Sequence, residues 1–166
     1  MAKIKWFGAL SVLMLFWLIM PGKAVADDDF RDSIHAAIKM SNSGDYQGAI
    51  RIFTGLLQKA DYNQNPELHF HLGIAYYNSG AYDQALAEFA ATERLNPNKS
   101  MVHYFSGLIY EAQALNEADA NRARDLRNKA LQNWEEFVRT AEPDRADKIE
   151  TAKKHISMIK EKINEK

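Results

Sequence analysis

The residues able to do chemistry are few and scattered along the chain. It has five histidines and no cysteine. His69 and His71 stand two apart, so on a helix they point in different directions and cannot share a metal ion. No carboxylate or third histidine has the spacing to complete a ligand set, and there is no H-E-x-x-H pair and no Asp-rich calcium loop. A nucleophilic serine would need a framed turn such as G-x-S-x-G, which is absent. Gly44, Gly48 and Gly55 lie too far apart to cradle a phosphate and read as turn and packing residues. Glu135-Glu136 reads as a solvated helix surface, and Asn98-Lys99-Ser100 is formally a glycosylation sequon in a turn. Without cysteine there is no thiol redox chemistry, cysteine catalysis, c-type haem attachment or lipoprotein anchor. The expectation is a chain with no catalytic residues, no cofactor and no metal.

The chain start reads as a targeting segment. Lys3 and Lys5 precede a charge-free apolar run, Trp6 to Met20, then the helix-breaking pair Pro21-Gly22 and the small triplet Ala24-Val25-Ala26. A basic start, a short apolar stretch and an A-x-A site describe a secretory signal peptide over residues 1–26, and the run is short for a bilayer span. The alternative is an uncleaved N-terminal anchor. Cleavage after Ala26 removes Lys3, Lys5 and Lys23 and leaves 18 Lys+Arg against 22 Asp+Glu, a net charge of −4. A mildly acidic protein has no electrostatic reason to bind nucleic acid. The expected location is periplasmic or secreted, without membrane insertion after cleavage.

What must position any site is a repeat. Residues 30–63 and 66–99 share the core N-S-G-[AD]-Y-[DQ]-x-A, at Asn42-Ser43-Gly44-Asp45-Tyr46 with Ala49 and at Asn78-Ser79-Gly80-Ala81-Tyr82 with Ala85. In both, an aromatic follows four residues after the alanine, Phe53 and Phe89. Leu68, Leu72, Ala75 and Tyr76 form one helical stripe, and Tyr82, Ala85, Leu86 and Phe89 form the next. Gly80 sits where the chain must reverse, small Gly73 and Ala85 permit close helix approach, and Pro97 ends the unit. A third unit starts at Ser100, with Gly107 and Tyr110 each 34 residues after Gly73 and Tyr76. About 11 residues are then inserted before Ala130, Trp134 and Phe137, which predicts a long second helix after a turn near Asn116–Asp119. Ala146, Ile149, Ala152, Ile156, Ile159 and Ile163 line one face of a final helix whose other positions carry seven basic and five acidic residues, the pattern of a solenoid cap. The spacing predicts seven helices, over 30–43, 46–60, 66–79, 82–95, 100–115, 119–141 and 144–163, and no sheet.

Leu72-Gly73, Tyr76, Gly80, Tyr82, Ala85, Phe89 and Pro97 closely resemble the signature of the tetratricopeptide repeat. The first repeat departs from it, with Ala36-Ala37 for Leu-Gly and Asp61 for proline. The resemblance implies an all-α helix-hairpin solenoid with repeats at about 30–63, 66–99 and 100–143 and a capping helix at 144–166. It implies that His69 and His103, equivalent in successive repeats, fill a packing position. It also implies that the first helix of each repeat lines a groove for a protein or peptide partner: Ile34, Ile38 and Asn42, then Phe70, Ile74, Tyr77 and Asn78, then Tyr104, Leu108 and Glu111. Chaperone-binding members clamp a terminal carboxylate with Lys, Arg and Asn at such places; Ile34 and Ile38 stand there instead, so that clamp is not supported. An apolar, aromatic groove marks an interaction site. The reading is a non-catalytic scaffold, with Tyr77 and Tyr104 as anchors. Other readings are cover of the groove by the last helix, a homodimer through it, or an assembly factor. The last follows from Trp134-Glu135-Glu136-Phe137 and the end helix, which are similar to repeat modules of cytochrome c maturation subunits.

Overall fold

The structure, a computed structural model, describes residues 22–164. Seven α-helices follow one another: α1 (Gly22–Asn42), α2 (Tyr46–Leu57), α3 (Pro66–Asn78), α4 (Tyr82–Leu95), α5 (Met101–Asn116), α6 (Ala120–Thr140) and α7 (Ala146–Asn164). A 3-10 turn at Pro143–Arg145 precedes the last, and no strand occurs among the described residues. α1 packs on α2, α3 on α4 and α5 on α6, each hairpin meets the next, and α7 lies against α6. The fold is an all-α hairpin solenoid of three repeats with a terminal cap. Most of the predicted signal peptide, residues 1–21, lies outside the described residues.

Local chemistry sets the hairpins. Gly44 and Gly80 take positive φ, 92° and 81°. Each lets the next residue's N–H reach back to a carbonyl of the ended helix, Asp45 to Met40 and Ala81 to Tyr76, both at 2.9 Å. These bonds satisfy carbonyls that a helix C-terminus leaves unpaired. The starts of α2, α3 and α6 are capped by Asp45, Asn65 and Asp119, whose side chains accept from Gly48, Glu67 and Arg122 N–H groups at 2.8, 2.9 and 2.8 Å. Each such cap contributes about 1 kcal/mol.

Packing within the hairpins pairs a glycine on the first helix with an aromatic on the second. A Cβ at Gly73 would lie 2.6 Å from the Phe89 ring, and one at Gly107 would lie 2.8 Å from the Trp134 ring. Both rings are essentially fully buried. The core is two clusters joined at Tyr76: Ala37, Ala49, Phe53, Leu68 and Leu72 hold α1–α3, while Phe89, Ile109, Trp134, Phe137 and Ile159 hold the rest.

The helix limits differ from expectation at the ends of the chain. Among the described residues α1 already includes Gly22 to Ala26, ahead of the expected start at 30. α2 ends at Leu57, not 60, as the chain turns and Tyr62 stacks on Phe30 with ring centroids 3.9 Å apart. α7 starts at Ala146, after the proline-initiated 3-10 turn.

Candidate partner-binding face

The ten residues carried onto the first-helix face divide into an open part and a covered part. Ile34 and Ile38 are half-buried on α1 against the first core cluster, and Asn42 is exposed at the end of that helix. Ile74 is half-buried on α3, and Asn78 is exposed. Ile38, Asn42 and Ile74 meet around a cavity of about 130 Å³, which Ser41, Phe53 and His71 complete. Ser41 is 8% exposed, and its Oγ is buried without any hydrogen-bond partner. The His71 ring lies flat toward Phe53, centroids 6.0 Å apart, and meets Phe70 edge-on at 5.7 Å. Burial holds the His71 pKa below its ordinary value; Glu67 opposes that shift and Lys99 adds to it.

Phe70 does not line an open groove. It is 6% exposed, packed against Phe89 and Phe105 at centroid distances of 6.0 Å, with Lys99 Nζ 4.5 Å above its ring. Lys99 also pairs with Glu67 at 2.7 Å, joining the two ends of the second repeat. Tyr77 is half-buried between Tyr82 and Phe105, and burial, reinforced by Tyr82 and Tyr104, raises its pKa.

The third-repeat residues are half-buried and make contacts with α6 and α7. Tyr104 meets Trp134 and Phe137 edge-on, each at 5.2 Å, and Leu108 packs into the same cluster. Glu111 accepts from Trp134 Nε1 at 2.5 Å and bonds His155 Nδ1 at 2.8 Å. His155 in turn stacks on Trp134, centroids 4.7 Å apart. The expectation of an open strip is corrected at Phe70, which is buried, while Tyr104, Leu108 and Glu111 stay half-buried with contacts to α6 and α7.

Reasoning from sequence gave Ser41, Phe53 and His71 no place in the site. Ser41 and His71 had a usable signal, the i, i+3 spacing of Ile38 with Ser41 and of His71 with Ile74. Phe53 had none, because it reaches the cavity from the second helix. His69 and His103 fill their packing positions but also bridge helices: His69 Nδ1 bonds Glu88 at 2.6 Å, and His103 Nδ1 faces Asn133 at 3.4 Å. Among the described residues no group of His, Asp and Glu is arranged to hold a metal, and no helix is long and apolar enough to cross a membrane.

Residues 42–109 match the family described as tetratricopeptide repeat. The matched span holds both glycine turns and the Gly73–Phe89 contact. No curated protein sequence matches the chain.

Proposed function

We propose that the chain is a non-catalytic scaffold that holds a segment of a partner protein on its first-helix face, anchored in the cavity between α1 and α3. Repeats of the kind it resembles generally mediate protein–protein interaction, which supports a scaffold in outline. The observation that carries the specific reading is the cavity itself. It joins Ile38, Asn42 and Ile74, which come from two repeats, around a buried hydroxyl with no partner. A volume of about 130 Å³ is well under the roughly 300–1,000 Å³ of small-molecule sites, so it suits one side chain of a larger partner. No carboxylate, Lys or Arg lines it and His71 is held neutral, so the fitting side chain is uncharged, with an apolar body and a polar tip. Tyr77 and Asn78, about one turn along α3, extend the contact.

The proposal includes export. Residues 1–26 act as the signal, and the mature chain begins at Asp27, inside α1, in the periplasm or outside the cell. Intact mass of the exported protein tests this; a product that retains Met1 and sediments with membranes overturns it.

The groove is tested by Asn42→Trp, which fills the mouth of the cavity from an exposed position. Capture of the partner is lost while the unfolding midpoint stays. Tyr104→Ala is the contrast: it removes ring contacts with Trp134 and Phe137 and costs about 2–3 kcal/mol of stability. Undiminished capture by a folded Asn42→Trp variant refutes the assignment.

A further inference from the structure

A second cavity lies on the other side of α5, and the chain provides its own control for it. Positions 104 and 106 of a helix point about 200° apart, so Ser106 faces away from Tyr104. Val102, His103, Ser106 and Tyr110 of α5 form one wall of a cleft of about 360 Å³, closed by α4 and α6. In the corresponding seam of the preceding repeat, Leu57, Leu72, Ala87 and Ala91 take the hairpin positions that Glu93, Ser106, Gln132 and Glu136 hold here, with the inserted residues of the third unit allowed for. Leu72 is 2% exposed, and the earlier seam is shut by the His69–Glu88 bond at 2.6 Å. In the later seam the matching pair is His103 and Asn133, at 3.4 Å. Four apolar residues of the earlier seam are thus polar here, where the cleft lies.

The lining defines a ligand chemistry. Leu86, Phe89 and Val102 give the cleft an apolar part. Glu93 from α4 and Glu136 from α6 lie on opposite walls, and no Lys or Arg lines the space. The nearest cations are occupied: Arg139 binds the Glu136 carboxylate, and Lys129 Nζ lies 5.6 Å from the centre of the Tyr110 ring. His103 Nε2 stands 3.8 Å from Glu93, outside hydrogen-bond range. Independently of the two carboxylates, Ser106 is 8% exposed, lines the cleft and makes no side-chain hydrogen bond among the described residues. A volume of about 360 Å³ is within the roughly 300–1,000 Å³ range of small-ligand sites.

We propose that this cleft binds a cation on an apolar stem, an alkyl ammonium or a guanidinium, whose charge faces the Glu93 carboxylate, the Glu136 carboxylate being paired with Arg139, and whose N–H donates to Ser106 Oγ. The stem lies on Leu86, Phe89 and Val102. The site, lined by α4, α5 and α6, shares no residue with the cavity between α1 and α3, and neither proposal depends on the other. The same chemistry is carried by a free amine and by an Arg or Lys side chain of another protein.

The test follows backbone amide signals of the mature chain by NMR during titration with n-butylammonium, with acetyl-arginine amide and with the neutral acetyl-citrulline amide. Both cations shift the signals of His103, Ser106 and Gln132 saturably, and the neutral analogue does not. Tighter binding of n-butylammonium assigns the cleft to a free amine, and tighter binding of acetyl-arginine amide assigns it to a side chain. Ser106→Leu and Glu93→Leu restore the residues of the preceding repeat; each weakens cation binding by about tenfold or more while the unfolding midpoint holds or rises. Should a leucine variant fail to fold, Glu93→Gln at the exposed rim gives the same reading. Equal binding of the citrulline derivative, unchanged cation binding in the folded variants, or no shift at His103, Ser106 and Gln132 overturns the proposal.

Discussion

Replacing Gly107 with alanine tests the packing that the third hairpin depends on. In an exposed helix, glycine to alanine stabilises by up to about 1 kcal/mol, because alanine loses less backbone freedom on folding. At Gly107 the added methyl would lie 2.8 Å from Trp134 Cε2 and 2.9 Å from Cδ2. The ring has little freedom to retreat: it is fully buried, stacked on His155, edge-on to Tyr104, and tied through Nε1 to Glu111. Overpacking of this kind costs about 1–3 kcal/mol. The net for Gly107→Ala is therefore a loss of about 0–2 kcal/mol. Gly55 provides the reference, since a Cβ there meets nothing within 4 Å. Gly55→Ala should keep its propensity gain, so the two variants should differ by about 1–3 kcal/mol. Urea midpoints followed by far-UV circular dichroism measure the difference. Equal stabilisation by both substitutions would refute the close Gly107–Trp134 contact.

Two further outcomes follow from the buried polar groups. Glu111→Ala leaves the Trp134 N–H buried without its acceptor and should cost about 1–3 kcal/mol, while Glu111→Gln, which keeps an oxygen there, should cost less; equal urea midpoints for the two variants contradict the role given to that bond. For His71, burial lowers the folded pKa below the ordinary 6.5, so the unfolded chain takes up a proton first as the pH falls. The stability contribution is full above about 6.5 and is lost as the pH drops from there through the folded value, so His71→Gln should flatten the fall in unfolding midpoint between about pH 7 and pH 5. Parallel pH profiles for the two proteins exclude this linkage.

The repeat architecture was legible in the residues because its determinants are local and recur. Gly44 and Gly80 mark turns that need positive φ, and Gly73 and Gly107 pair with Phe89 and Trp134 at matching places in their hairpins. The inserted length ahead of Trp134 was readable as a longer helix, and α6 runs from Ala120 to Thr140. The early part of α1 was not, because Gly22 reads as a helix breaker yet lies within the helix. Nor could helical periodicity tell which first-helix side chains stay open. Phe70 and Ile74 share a face of α3, yet Phe70 is covered by Phe105 of the next hairpin, and Glu111 is taken by Trp134 and by His155, 44 residues away. Spacing along one helix fixes direction alone; whether a neighbour stands in that direction depends on how separate helices pack. The cleft between α4 and α6 shows the same division. The changes from Leu72 to Ser106 and from Leu57 to Glu93 can be read in the sequence, but only the packed helices show that they border one open space.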